Sequence, residues 1–265
     1  MIKSPIICMR LKKSSTLNMH FHNSYEILYF ISGRALLRIN KIEYLIEKNS
    51  FVFVSNLEEH QIEVIEEPLC RYFIELDPAL TDLAIDCATL MSVFHNRPSN
   101  FVHVFRMLSH IEQIEKLMQI LLEELESGQK YRDDMIVSVL KQIMILIYRF
   151  GDQNFVTTKQ NIHPEMYEVQ RFIEQHCTEQ ILLHELSKKY YISPCYLSRS
   201  FKGLTGYSPK EYLLLNRVSK AKELLLTTNL SVQEVAYKSG FMDINNFIRY
   251  FKSHAGVSPN KYRKH

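Results

Sequence analysis

Two decapeptides, SFKGLTGYSP at Ser200–Pro209 and YFKSHAGVSP at Tyr250–Pro259, carry one pattern at an offset of fifty residues. In each, a Phe-Lys pair is followed by Gly four residues after the Lys, and then by Ser-Pro. The match extends outward, pairing Leu197 with Phe247, Arg199 with Arg249 and Tyr212 with Tyr262. Around each copy the apolar residues recur at helical spacing. Ser193-Pro194 and Ser208-Pro209 place a helix N-cap ahead of proline in the first turn, where its missing N–H does no harm. A short helix, a tight turn and a second helix rich in polar and basic residues make a helix-turn-helix pattern. The chain holds two, at about 182–204 and 231–255. Leu186 with Leu197, and Val235 and Ala236 with Phe247, are the expected contacts within each pair. Phe201 and Phe251 are expected to anchor the second helices to the core.

One such motif reaches one segment of major groove, which is why these proteins usually act in pairs. Two copies in one chain supply both readers. The intervening SPKEYLLLNRVSKAKELLLTT predicts roughly twenty helical residues, about 30 Å at 1.5 Å per residue. One turn of duplex is about 34 Å. The other reading is a pair of unrelated hairpins in a helical bundle. On the duplex reading, Cys195, Tyr196, Ser198, Arg199 and Lys202 are the first set of DNA-contacting residues, and Asn245, Asn246, Arg249 and Lys252 the second. Arg matches guanine O6 and N7, and Asn matches adenine N6 and N7, each with two hydrogen bonds. Arg199 and Arg249 could instead clamp phosphates, and Lys202 and Lys252 suit phosphate. Charge agrees: residues 163–265 hold 15 Lys and Arg against 9 Asp and Glu, a net +6, while residues 1–162 sum to −3.

With these residues in view, the last hundred residues resemble the DNA-binding domain of the AraC/XylS family of bacterial transcription regulators. The likeness is carried by YLSRSFKGLTGYSPKEYLLLNRVSKAKELL and by VQEVAYKSGFMDINNFIRYFKSHAGVSPNKYR. The second segment keeps Gly240-Phe241, Asp243, Phe247, Arg249, Phe251-Lys252, Gly256, Ser258-Pro259 and Tyr262-Arg263. Two departures stand out: Ser187 replaces the usual Ala of the first motif, and Ile244 occupies a position that often holds a polar base reader.

The front half has a different grain. EILYFISG, ALLRIN, EYLIEKN, FVFVSN, HQIEVI and CRYFIELD are short runs rich in Ile, Val, Phe and Tyr, separated by turn residues, and Pro78 closes them. They predict an all-β barrel or sandwich over about 1–78. IEQIEKLMQILLEELES and DMIVSVLKQIMILIYRF then switch to apolar spacings of three and four, so two amphipathic helices are expected within about 110–150. Gly128 and Gly151 mark their ends, and 151–161 is a candidate linker. The fold class expected is α+β: residues 1–158 form a sensing and dimerisation domain, a barrel with a helical extension. Residues 163–265 form an all-α domain with two helix-turn-helix motifs on a long linking helix. Leu117, Leu121 and Leu125 are candidates to pack against a second protomer, the other reading being that both helical stripes face their own barrel and each other.

HFHNSYEILYFISG spaces His20, His22, Glu26 and Gly33 as in the first metal motif of cupin barrels, and His60 follows where a last ligand would come. Alternation puts His20 and His22 on one face of a strand. Imidazoles with a carboxylate suit Zn, Mn, Fe or Ni. The Pro and Gly of a second cupin motif are missing. The resemblance to a cupin-like sensor ahead of the DNA-binding half implies instead an organic effector, by analogy a sugar. The effector-binding residues expected are His20, His22, Glu26, Tyr29, Arg38 and His60, with no metal and no cofactor; barrel-mouth residues without a ligand are the remaining alternative. Five cysteines without a CxxC spacing, and an N-terminus without a long apolar run, predict a reducing, cytoplasmic setting and no membrane span. No G-x-S-x-G, P-loop or G-x-G-x-x-G is present, and catalytic residues are not expected. The function expected is a sequence-specific, effector-responsive activator with promoter DNA, a small molecule, RNA polymerase and a second copy of itself as partners. The alternatives are a cupin metalloenzyme with a helical tail, and a regulator without an effector.

Overall fold

The computed structural model describes residues 6–11, 17–39, 42–78, 81, 84–94, 97, 101–152 and 164–264. The chain divides into two units, Met1–Lys159 and Gln160–His265.

Seven strands of the first unit form one antiparallel sheet: β1 (Ile6–Leu11), β2 (Leu17–His20), β3 (Tyr25–Ile39), β4 (Ile42–Ile46), β5 (Ser50–Val54), β6 (His60–Leu76) and β7 (Val104–Arg106). Strands β3 and β6 are the frame. They pair from Tyr25↔Leu76 to Ile39↔His60. Strands β1 and β2 add to β6, β4 and β5 add to β3, and β7 pairs with β5. The runs EILYFISG and ALLRIN, expected as two strands, are therefore one, as are HQIEVI and CRYFIELD. What breaks them in sequence is a bend in space. The β3–β6 register shifts between Phe30 and Ala35, and Gly33 sits there at φ +79°, where a Cβ would come within 2.6 Å of the Glu66 carbonyl oxygen. Only glycine meets both demands. Strand β7 lies beyond the expected limit of 78 because Phe105, paired with Phe51, completes the edge of β5.

Leu28, Phe30, Ala35, Leu37, Ile39, Ile46, Val52, Val54, Ile62 and Leu69 form a cluster drawn from the sheet alone, and every one is fully buried. Sheet residues can bury one another in this way only if the sheet curls around them. The opposite face, with Tyr25, Ile27, Tyr29, Phe51, Phe53 and Ile74, packs against three helices. These are α1 (Ala88–Met91), α2 (Ile111–Glu126) and α3 (Arg132–Phe150). Leu117 and Leu121 are buried in this core and Leu125 packs against it. The expectation that these leucines meet a second protomer is thus corrected: the sheet and α3 already cover them. The candidate linker lies outside the described residues beyond Asp152.

The second unit is helical: α4 (Pro164–Gln175), α5 (Leu183–Lys189), α6 (Pro194–Thr205), α7 (Pro209–Thr227), α8 (Val232–Lys238), α9 (Ile244–Ala255) and α10 (Pro259–Tyr262). Helix α7 is its axle. Its 19 residues give a rod of about 28 Å, and it touches α4, α6, α8, α9 and α10. Tyr212, Leu213, Leu215, Val218, Ala221 and Leu225 are buried along it, as a helix flanked on several sides requires. The repeat has a packing cause. Phe201 meets Tyr212 edge to face at 5.3 Å between ring centroids, and Phe251 meets Tyr262 the same way at 5.4 Å. Such pairs are worth about 0.5–1.5 kcal/mol beyond area burial.

Candidate DNA-reading helices and sensor cluster

Each helix-turn-helix is held as its sequence suggests. Leu186, Leu197 and Phe201 are buried in the first pair, α5–α6, and Val235, Ala236, Phe247 and Phe251 in the second, α8–α9. The Ser193 hydroxyl caps α6 by accepting from the Tyr196 amide, and the Asp243 carboxylate caps α9 by accepting from the Asn246 amide at 2.7 Å. Each helix ends on a left-handed glycine, Gly206 or Gly256. The turns differ. Four residues join α5 to α6, with Tyr191 at φ 55°, and five join α8 to α9, with Gly240 at φ 92°. Gly240 has no room for a Cβ, because the Cys177 carbonyl and Thr178 lie 2.8 Å from where it would stand. Arg217 of α7 fixes that approach by donating to the Cys177 and Glu179 carbonyls, both at 2.7 Å.

Helical spacing then sorts the candidate readers. Cys195, Ser198, Arg199 and Lys202 stand at i, i+3, i+4 and i+7, on the side of α6 away from Leu197 and Phe201. Cys195, Arg199 and Lys202 are exposed and Ser198 is half-buried, while Tyr196 flanks them, also exposed. On α9 the same spacing selects Asn245, Ile248, Arg249 and Lys252, all exposed, with Asn246 beside them. Arg249 donates to the Asn246 side chain at 2.9 Å, which holds the guanidinium in place. Ile248 was missed in the sequence because an isoleucine on an amphipathic helix reads as core. Its position three residues after Asn245 was the available signal.

In the first unit, His20 ends β2, His22 lies in the connection to β3, Glu26 is on β3 and His60 opens β6. The pairing His20↔His60 across β2 and β6 brings the elements together. The ligand nitrogens of the three histidines all lie within 4.8 Å of one another. Glu26 Oε2 is 2.8 Å from His22 Nε2 and 3.4 Å from His60 Nε2. Glu26 and His60 are buried; His20 and His22 are half-exposed and form the side open to solvent. Burial alone would raise the Glu26 carboxyl, yet the hydrogen bond with His22 and the charge of His60 and His22 hold it well below the usual carboxylate range. Burial opposes charge on His60, but Glu26 raises it above the ordinary imidazole value.

The other two candidates are not brought to this cluster. Tyr29 lies on the helix-facing side, stacked 4.4 Å from Phe51, its buried hydroxyl without a hydrogen-bond partner. Arg38 points outward and donates to Glu43 and Glu63 at 2.6 and 2.8 Å. The structure supplies others in their place. Arg71, paired across the ladder with Phe30 of the inner cluster, is buried with Nε and Nη1 unpartnered. Glu75, paired with Glu26, accepts from the Ser24 hydroxyl at 2.8 Å.

Comparisons with known proteins agree with this division. The family described as "AraC-like ligand binding domain" matches residues 10–139, and "Helix-turn-helix domain" matches residues 186–265. The HTH-type transcriptional regulator YfiF of Bacillus subtilis is 26% identical over 92% of this chain and 78% of its own length. The HTH-type transcriptional activator RhaS of Enterobacter sp. is 22% identical over 92% of this chain and 87% of its own. Among solved structures, ToxT of Vibrio cholerae superposes with a TM-score of 0.65 at 16% identity, covering 97% of each chain. No helix among the described residues is long and apolar enough to cross a membrane. A family of AraC-like ligand binding domains thus matches the sheet unit and a helix-turn-helix family the helical unit, and the chain belongs to the AraC family of transcriptional regulators.

Proposed function

We propose that the chain is a cytoplasmic, effector-responsive activator that reads two successive major grooves, α6 entering one and α9 the next. The observation that carries this is the matched pair of faces, Cys195-Ser198-Arg199-Lys202 and Asn245-Ile248-Arg249-Lys252, each opposite a buried Phe and both mounted on α7. Arg199 and Arg249 read guanines, Asn245 and Asn246 adenines, and Lys202 and Lys252 touch phosphate. Ile248 adds an apolar surface suited to a thymine methyl. Activation follows the relative RhaS, named a transcriptional activator, and makes RNA polymerase a partner; a homodimer through a surface other than α2 belongs to the same proposal. The effector is a small molecule held in the curled sheet near His20 and His22, of the polyhydroxy class by analogy. ToxT, which shares the fold, is known with an unsaturated fatty acid bound.

Genome-wide mapping of bound DNA supplies the cognate site. On it, Arg199→Ala and Arg249→Ala should each weaken binding by about 1–3 kcal/mol and relax one position, the two positions about 10 base pairs apart. Lys252→Ala should weaken all sequences alike and flatten the salt dependence. A footprint shorter than one helical turn, or full affinity in both arginine variants, overturns the two-groove reading.

A further inference from the structure

We propose that Arg71 receives the carboxylate of an organic anion that enters the curled sheet of the sensor unit. The proposal rests on the reading of that sheet as an effector site, and gives the effector a charge. Arg71 is only 2% exposed. It pairs with Phe30 across β3 and β6, and residues directly opposite in an antiparallel pair share a face. Its side chain therefore lies on the face of the inner cluster, which holds Phe30. Two of its three guanidinium nitrogens, Nε and Nη1, are buried without a hydrogen-bond partner. Among the described residues no carboxylate pairs with it. Glu26, whose charge acts on Arg71, is 2.8 Å from His22 and 3.4 Å from His60. Glu75, four residues along β6, accepts from Ser24. Arginine keeps its charge even when buried, and a buried charge without a partner is costly.

The fork sets the ligand class. A guanidinium offers paired N–H groups in one plane, which match the two oxygens of a carboxylate. Access lies on the β1 side. Strand β1 is an edge of the sheet, and its Leu11, Met9 and Ile7 pair with Arg71, Phe73 and Glu75. They line the same face as Arg71. Met9 and Ile7 are 44% and 39% exposed, so the inner face is uncovered there, within about 13 Å of Arg71 along the strand. A molecule with its carboxylate on Arg71 rests its body on this apolar lip and takes both side chains out of water. An inorganic anion would neutralise Arg71 and leave Met9 and Ile7 wet. A neutral hydroxyl compound would leave the charge standing. Glu26 swinging across to Arg71 would break its own 2.8 Å contact with His22, which moves the deficit without removing it.

The test uses the full chain and begins with acetate, a carboxylate too small to depend on the rest of the pocket. Proton–nitrogen NMR spectra of the arginine side chains report the Arg71 Nε–H, assigned by its loss in Arg71→Lys. Millimolar acetate should move that signal saturably, and acetamide, its neutral counterpart, should not. Octanoate should bind about tenfold or more tighter than acetate, because its chain leaves water against Met9 and Ile7. Arg71→Met should bind octanoate about tenfold or more weakly than the parent. It should nevertheless unfold at the same urea concentration or a higher one, because it removes a buried charge that has no partner. An Arg71 signal that ignores acetate, or answers acetamide equally, overturns the proposal. So does Arg71→Met unfolding at lower urea, which makes Arg71 a structural partner of Glu26. A neutral sugar such as galactose, bound equally by the parent and by Arg71→Met, overturns the anion class and leaves the sheet an effector site. Binding of neither the carboxylates nor the sugar counts against both readings.

Discussion

Two carboxylates of the sensor unit lie within reach of histidines, Glu26 buried and Glu58 half-buried, and they are finished to different degrees. Glu58 accepts from Arg97 at 2.6 Å, from the Ser55 amide at 2.7 Å and from His103 Nε2 at 3.1 Å. His103 spends its other nitrogen on the Tyr44 hydroxyl at 2.9 Å. Arg97 goes on to donate to the Val93 and Phe53 carbonyls and lies over the Phe101 ring. Burial lowers His103, so a neutral ring donates on one side and accepts on the other. Glu26 has histidines on one oxygen, an imidazole nitrogen without a hydrogen bond beside it, and a buried arginine, Arg71, with unpartnered nitrogens. A closed set of donors and acceptors holds structure together, and the set around Glu26 is not closed among the described residues. Leaving buried polar atoms unmade is too costly to be incidental.

The contrast can be broken by experiment. Arg97→Ala removes the arginine partner of Glu58, leaving it the Ser55 amide and His103, and should remove about 3 kcal/mol of stability in urea unfolding of the full chain. His60→Ala, which leaves Glu26 with His22, should cost less by at least about 2 kcal/mol; equal losses would erase the distinction. Acid titration sharpens it. Burial would raise the Glu58 carboxyl, but Arg97 and His103 hold it well below its ordinary value. A depressed carboxyl stabilises fully above the unfolded value of about 4.3 and loses that contribution as pH falls below it. Glu58→Gln should therefore be less stable than the parent at neutral pH and flatter between about pH 5 and 2; an unchanged acid limb would count against the pairing. Two tyrosines come next. Tyr44→Phe leaves His103 without a donor and should lower stability by about 1 kcal/mol, whereas Tyr29→Phe removes an unpartnered hydroxyl and should be neutral or raise it by a few tenths, about 0.5 kcal/mol at most. Arg38→Ala should change stability by less than about 1 kcal/mol, because its ion pairs lie in solvent on the outer face.

Much of the helical unit was legible because each local signal agreed with the next. Ser-Pro starts, glycine ends, paired Phe and Tyr and the fifty-residue offset all require the same two hairpins. The sensor unit was legible as strands and helices, and His20, His22, Glu26 and His60 do come together. Tyr29 and Arg38 were misplaced for a reason that can be stated. Inward positions on β3 are even up to Phe30 and odd from Ala35, and β6 switches likewise between Val64 and Leu69. Tyr29 is out of phase with Glu26 before the bend, and Arg38 would be in phase but for it. The same switch turns Arg71 inward. Gly33 hints at an interruption in the sequence, but neither the size of the register slip nor the partner that causes it is written there.

The two reading helices are copies without being equals. Cys195 and Ser198 stand where Asn245 and Ile248 stand, and the second turn is one residue longer than the first. On the proposed two-groove reading, a bound copy would have a front and a back. An operator flipped end for end would offer each helix the bases suited to the other. The site would be a signpost with a heading, and a single molecule would tell upstream from downstream.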